Sequence, residues 1–273
     1  MVDAWTDLPT PAATVMLLRD GSEGDLEVLL LERVLRSDFA GGAFVFPGGK
    51  VDPQDAQLPR ARWRGPDPVV DADALGLDEP DDAVGCRAAA IRETYEEAGV
   101  LLASRADGTP LTADDLGSPS FVAARSALID HGPVEAFHDW LAAEDLVLEL
   151  GALGFWSWWV TPEGQHRRYD TRFFVATVPT LQRDVAAHDT VETASTRWMT
   201  PTAALTAAAS DEVTIIFPTR WNLRQLEAHG SAEDAVAAAL AGQVDTARTL
   251  PTVEMIDGVP LVQHPRGGDP EPF

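Results

Sequence analysis

Two runs of mostly apolar residues, 12–18 and 26–33, are separated by Asp20-Gly21-Ser22-Glu23-Gly24-Asp25, which predicts a β-hairpin with a long loop. A glycine-bearing stretch leads to a short strand at Phe44-Val45-Phe46, ending at Pro47-Gly48-Gly49. Residues 52–80 shift to Pro, Asp and Arg without a sustained period, so they read as an excursion from the core. Asp81 or Asp82 then caps a helix running to about Ala98, with Gly99 as its left-handed terminator. Residues 120–143 predict two helices broken near Gly132-Pro133, and 155–160 and 169–178 a hairpin joined through Pro162-Glu163-Gly164. Pro201 sits early in a short helix, where proline is tolerated. Residues 218–229 and 231–241 read as paired helices, and 252–262 as a hairpin around Asp257-Gly258. Strands flank helices without regular βαβ alternation, so the expected class is α+β, a sandwich on a mixed sheet.

Charge narrows the choice of partner. Lys and Arg number 20 against 44 Asp and Glu, a formal charge of -24 over 273 residues. The mean field of such a chain repels nucleic acid and anionic membrane, so neither is expected as a partner. No apolar run approaches the roughly 18 residues that a membrane span needs. Cys86 is the sole cysteine and has no internal disulfide partner; a buried thiol is the simplest reading. The opening Met1-Val2-Asp3-Ala4-Trp5 lacks the pattern of a signal peptide, and with the single cysteine it points to a cytoplasmic setting.

The chemistry concentrates in Arg92-Glu93-Thr94-Tyr95-Glu96-Glu97-Ala98-Gly99-Val100. On a helix, Glu93, Glu96 and Glu97 are three and four apart and share one face. Like charges so placed destabilise the helix unless something offsets them. A hard divalent cation such as Mg²⁺ or Mn²⁺ would convert the repulsion into oxygen ligation. In so acidic a chain, a solvated acidic face is the alternative.

This segment resembles the end of the signature of the Nudix hydrolase superfamily, G-x5-E-x7-R-E-U-x-E-E-x-G-U, with U a bulky aliphatic residue. Arg92, Glu93, Glu96, Glu97, Gly99 and Val100 match, while Thr94 stands where U is usual. Phe46-Pro47-Gly48-Gly49-Lys50 resembles the F-P-G-G opening, with Gly49 as the first signature residue. The resemblance implies an α/β/α sandwich with a mixed central sheet, an insertion inside the signature at 52–80, and a C-terminal helical extension over 218–273, all in one domain. It implies that Glu93, Glu96 and Glu97 hold Mg²⁺ or Mn²⁺, that the Gly49 carbonyl can join them, and that Gly48, Arg92 and Gly99 are structural. Glu192, six residues before Trp198-Met199-Thr200, matches a further metal-ligating or basic Glu of the family; Asp184 and Asp189 are alternatives. One departure is plain: Arg92 follows Gly49 by 43 positions where the signature expects 14. The middle Glu falls on Asp55 counted forward and on Val84 counted back, so no metal role is carried to it.

A long excursion at this point is similar to a subgroup that includes coenzyme A diphosphatases. Leu29-Leu30-Leu31-Glu32-Arg33 through Gly42 to Gly49, then Asp52-Pro53-Gln54-Asp55, resembles that subgroup's pattern, as do Trp158-Trp159-Val160-Thr161-Pro162 and the stretch 167–174. The implied activity is hydrolysis of a nucleoside diphosphate linked to X, with coenzyme A or acyl-coenzyme A as X-bearing substrate. ADP-ribose or nucleotide-sugar pyrophosphatase and a non-catalytic nucleotide-binding module are the rival readings. The reading allows for a homodimer. Phosphate clamping needs cations, and Arg33, Arg36, Arg60, Arg62 and Arg64, with Arg167 and Arg168, are the candidates. Trp156, Trp158 and Trp159 could stack a base, but strand alternation favours the core for two of them.

Overall fold

The computed structural model describes residues 8–34, 42–184 and 193–272. In chain order its strands and helices are β1 (Thr10–Asp20), β2 (Leu26–Arg33), β3 (Ala43–Val45), β4 (Gly48–Lys50), β5 (Trp63–Arg64), α1 (Pro68–Leu75), α2 (Pro80–Ala98) and β6 (Ala103–Arg105). There follow α3 (Ala113–Leu116), α4 (Pro119–Ile129), α5 (Val134–Ala143), β7 (Leu146–Glu149), β8 (Gly154–Val160), β9 (Tyr169–Thr177) and β10 (Thr193–Met199). The last are α6 (Pro201–Ala209), β11 (Thr214–Ile215), α7 (Phe217–Leu226), α8 (Ala232–Leu240), β12 (Arg248–Thr249), β13 (Thr252–Ile256), β14 (Val259–Gln263) and β15 (Glu271–Pro272).

A nine-stranded mixed sheet runs β11-β3-β2-β1-β9-β8-β12, with β10 on β2 and β4 on β1. β1 lies parallel to β9 from Thr10↔Tyr169 to Leu18↔Thr177 and antiparallel to β2 and β4. Both faces of this sheet are covered, which is why β1 and β2 are continuous apolar runs rather than alternating ones. Val15, Leu17, Leu29 and Leu31 pack on the side of α2. Met16, Leu18, Val28 and Leu30 pack on the opposite side, with residues of α6, α7 and α8. The layers are those of an α/β/α sandwich. Among the described residues no helix is long and apolar enough to cross a membrane.

α2 starts at Pro80, one residue before the expected cap, leaving Asp81 and Asp82 in a first turn that favours negative charge. It ends as expected on Gly99, at φ +73°. Its middle is buried almost all round, and Ala88, Ala89 and Ala90 let it approach the sheet closely.

Residues 52–80 do not lie outside the core, contrary to the expectation from their composition. Leu58, Trp63, Ala72 and Leu75 belong to the α2-side core. A Cβ on Gly85 of α2 would stand 2.8 Å from the Ala56 nitrogen, so the excursion lies directly on the helix. β5 pairs in parallel with β7, forming with β6 a small second sheet. The polar residues that suggest an exposed loop are paired inside: Asp71 takes two 2.6 Å hydrogen bonds from Arg87, which also donates to the Leu150 and Leu153 carbonyls. The Arg172 guanidinium of β9 holds the Leu75 carbonyl at the end of α1. A second correction concerns 218–273: helix ends at Leu240, and β12 then extends the main sheet through β8 while β13, β14 and β15 form their own sheet.

Candidate active site

Phe46 and Pro47 join two short strands, and Gly48 and Gly49 open the second of them rather than ending the first. The Pro47 carbonyl accepts from the Val15 N–H, and Gly48–Lys50 pair with Ala12–Thr14 of β1. A Cβ on Gly48 would stand 2.5 Å from the Ala13 carbonyl oxygen, so a side chain there would force β4 off β1. A Cβ on Gly49 would stand 2.4 Å from Glu93 Oε2. The two glycines thus let backbone lie against the carboxylates of α2. Gly48 N–H donates to Glu97 Oε2 at 2.8 Å.

Arg92 ties three segments together. Its Nε and Nη2 each donate to Asp55 at 2.9 Å, Nη2 also to the Lys50 carbonyl at 3.1 Å, and Nη1 to Glu93 Oε1 at 2.8 Å. Burial opposes its charge, but the Asp55 hydrogen bonds and the field of Glu93 outweigh that and hold its pKa above the ordinary arginine range. Arg125 of α4 donates to the carbonyls of Glu96 and Glu97, placing a cation at the C-terminal end of α2. Sequence reasoning does not select Asp55 or Arg125 as a site residue. For Asp55 the signal is the count forward from Gly49, which lands on it; Arg125 has none.

Glu96 and Glu97 are buried, and with Glu93 they line a cleft of about 1300 Å³. Ligand pockets for small molecules commonly span ~300–1,000 Å³, so this one has room for a large substrate. Three carboxylates facing one cleft are a donor set suited to a hard divalent cation. Among the described residues, no three His, Cys, Asp or Glu side chains are already gathered as a ligand group, and Glu93 and Glu97 are instead held by Arg92 and Gly48. Arg33, Lys50, His166 and Arg167 line the cleft walls, and the lysine and arginines bring positive charge to them.

Three of the candidate arginines stand outside the cleft lining. Arg60 lies over the Trp63 ring and donates to its carbonyl. Arg62 is bound to Asp145, and Arg64 to Ser104, Glu149 and the Ala106 carbonyl. None of the three lines the cleft, because each is used to fasten the excursion to itself or to the small second sheet. Arg36, Glu192 and Asp189 lie outside the described residues, and Asp184 is exposed. Trp156 and Trp159 are buried and Trp158 is half-buried beneath Arg172; of these, Trp159 lines the cleft. Cys86 is buried, and burial pushes its thiol up to about 12.

A mixed-sheet α/β/α sandwich whose R-E-x-x-E-E helix is bonded to an F-P-G-G segment defines the Nudix class. The family model described as the NUDT19 Nudix domain matches residues 59–226, and the chain belongs to the Nudix hydrolase family on that match. A crystal structure of a Nudix hydrolase from Alicyclobacillus acidocaldarius superposes with a TM-score of 0.70 at 30% identity, covering 85% of this chain and 97% of that one. The acyl-coenzyme A diphosphatase NUDT19 of Gallus gallus is 31% identical over 234 residues, covering 74% of this chain and 61% of its own length. The Homo sapiens protein of that name is 29% identical over 238 residues, covering 76% and 62%. The chain therefore spans about three fifths of the length of these curated relatives.

Proposed function

We propose that the chain hydrolyses the diphosphate bridge of coenzyme A or acyl-coenzyme A. Water adds to one bridge phosphorus, the bond from that phosphorus to the bridging oxygen breaks, and 3′,5′-ADP and 4′-phosphopantetheine (or its acyl form) leave. The observation that carries the reading is the buried Glu96–Glu97 face of α2, bonded to the Gly48 N–H and lining a large cleft. Glu93, Glu96 and Glu97, with the Gly49 carbonyl, are the residues that would hold Mg²⁺ or Mn²⁺. Such a cation supplies charge neutralisation at phosphoryl oxygens and a lower pKa for bound water. The Arg92–Asp55 pair keeps β4 and α2 in register, so the carboxylates meet the phosphates without first reorganising. Arg33 and Arg167, which line the cleft, would take phosphate oxygens by charge-assisted hydrogen bonds. A carboxylate, one of the three on α2 or Glu192, takes the proton from water.

The substrate choice draws on the diphosphatases named above and on the long excursion between Gly49 and Arg92. ADP-ribose and nucleotide sugars are the rival substrates. The test is a screen of coenzyme A, acyl-coenzyme A, ADP-ribose and a nucleotide sugar with Mg²⁺ or Mn²⁺, resolving products by chromatography. Release of 3′,5′-ADP with the highest kcat/KM is the expected result; preference for ADP-ribose overturns the substrate assignment.

A further inference from the structure

Besides the carboxylates, the cleft is lined by a set of apolar side chains. Phe46, two residues before Gly48, meets Phe173 edge-on with ring centres 6.4 Å apart. Trp159, on the neighbouring strand, meets Phe217 at 5.8 Å and 82°. Pro251 and Val262 line the same cleft. Val262 is 2% exposed and packs in one cluster with Trp159, Phe173 and Phe217. These side chains carry no charge, so this cluster suits neither phosphate nor cation.

The Val262 segment is built, not draped. Val262 of β14 pairs with Val253 on one side and Glu271 on the other. Glu271 accepts from Arg220 at 3.1 Å and from Arg224 at 2.5 and 3.0 Å, and Arg220 also holds the Pro272 carbonyl at 2.7 Å. Burial works against the Glu271 charge, but the two arginines outweigh it and hold the carboxyl below its usual range. His264 stacks on Trp221 at 3.8 Å and 4°. Arg220, Trp221 and Arg224 all belong to α7, whose first residues, Phe217 to Thr219, line the cleft. The segment carrying Pro251 and Val262 follows residue 226, where the family match ends.

We propose that the apolar cluster forms a floor for the uncharged arm of the substrate, the pantetheine chain with its acyl group, and that Val262 and Pro251 form an end wall limiting the arm's usable length. The inference rests on the coenzyme A reading above and extends it to a specificity-determining segment. Each further methylene buried against this floor strengthens binding, so a wall that stops the chain is read directly as a chain-length limit.

The test measures kcat/KM for free coenzyme A and for acyl-coenzyme A of increasing chain length, in the wild type, Val262→Trp, Val262→Ala and Glu271→Gln. Val262→Trp should lower the long-chain to free coenzyme A ratio at least tenfold, while Val262→Ala and Glu271→Gln should raise it for the longest chains. If Val262→Trp does not fold, the other two variants decide. An unchanged ratio in folded variants overturns the wall. Equal losses for every substrate, free coenzyme A included, overturn it too, because they place the nucleoside end on this floor. A wild type that releases no 3′,5′-ADP from any coenzyme A species is a different outcome, and removes the underlying substrate reading.

Discussion

Arg92 grips Asp55 through two parallel hydrogen bonds of 2.9 Å, joining residues 37 positions apart. Both side chains are buried, at 7% and 1% exposure. Removing Asp55 takes away the bidentate partner of a buried guanidinium and leaves it Glu93 and the Lys50 carbonyl, so the loss reaches at most the about 3–5 kcal/mol of a broken buried pair. Asp55→Ala should lower stability by up to that amount in urea unfolding. Asp55→Glu retains the charge and should lose less. Equal and small losses in both variants would mean that Asp55 carries no such tie.

That pair also explains what the sequence can and cannot disclose. The hairpin 12–33 and the helix ending at Gly99 are legible because apolar runs and a left-handed terminator are local signals. The excursion reads wrongly because its Pro, Asp and Arg residues look solvated when their partners are unknown. Asp71 meets Arg87 and Asp55 meets Arg92 only after α2 has packed, and no spacing in the chain announces such pairs. Nor does spacing announce that Asp145 and Glu149, far along the chain, pair with Arg62 and Arg64.

Glu96→Gln and Glu97→Gln each remove a charge at nearly constant shape. The amide introduced by Glu97→Gln retains an oxygen able to accept from the Gly48 N–H, so little stability should be lost. Turnover should fall by roughly 10²–10³-fold, the scale of losing one preorganised electrostatic contact. Chelation of divalent ions should abolish activity, with recovery on adding Mg²⁺ or Mn²⁺. Near-normal turnover in both variants would refute the metal assignment.

Cys86 sits 3% exposed on the buried face of α2, and its thiol is raised from 9.0 to about 12 by burial, against weaker pulls from Arg172 and Arg87. A thiol reagent at pH about 8, below the thiol's ordinary range, should leave the native protein unlabelled and react once with the unfolded chain. The folded state holds the proton more tightly than the unfolded one, so this contribution is complete below about pH 9 and is lost as pH rises towards 12. Cys86→Ala should therefore make stability fall less steeply across that interval. An equally steep fall in the variant would contradict a neutral, buried thiol.

The 3′-phosphate of coenzyme A offers the sharpest contrast between the two sets of arginines. A guanidinium bonded to it contributes about 1.5–3 kcal/mol, or about ten- to a hundredfold in specificity. Arg60, Arg62 and Arg64 are turned to Trp63, Asp145 and Glu149, so their alanine variants should leave the ratio of kcat/KM for coenzyme A over dephospho-coenzyme A within about twofold. Arg33 and Arg167 line the cleft that contains Glu96 and Glu97. Arg33→Ala, Arg167→Ala or both should reduce the ratio about tenfold or more. High salt should compress the difference, because a partly exposed charge contact is screened within a Debye length of about 8–10 Å at ordinary ionic strength. If the ratio moves in Arg62→Ala and stays fixed in Arg33→Ala and Arg167→Ala, the 3′-phosphate lies over the excursion, and the cleft holds only the diphosphate and the arm.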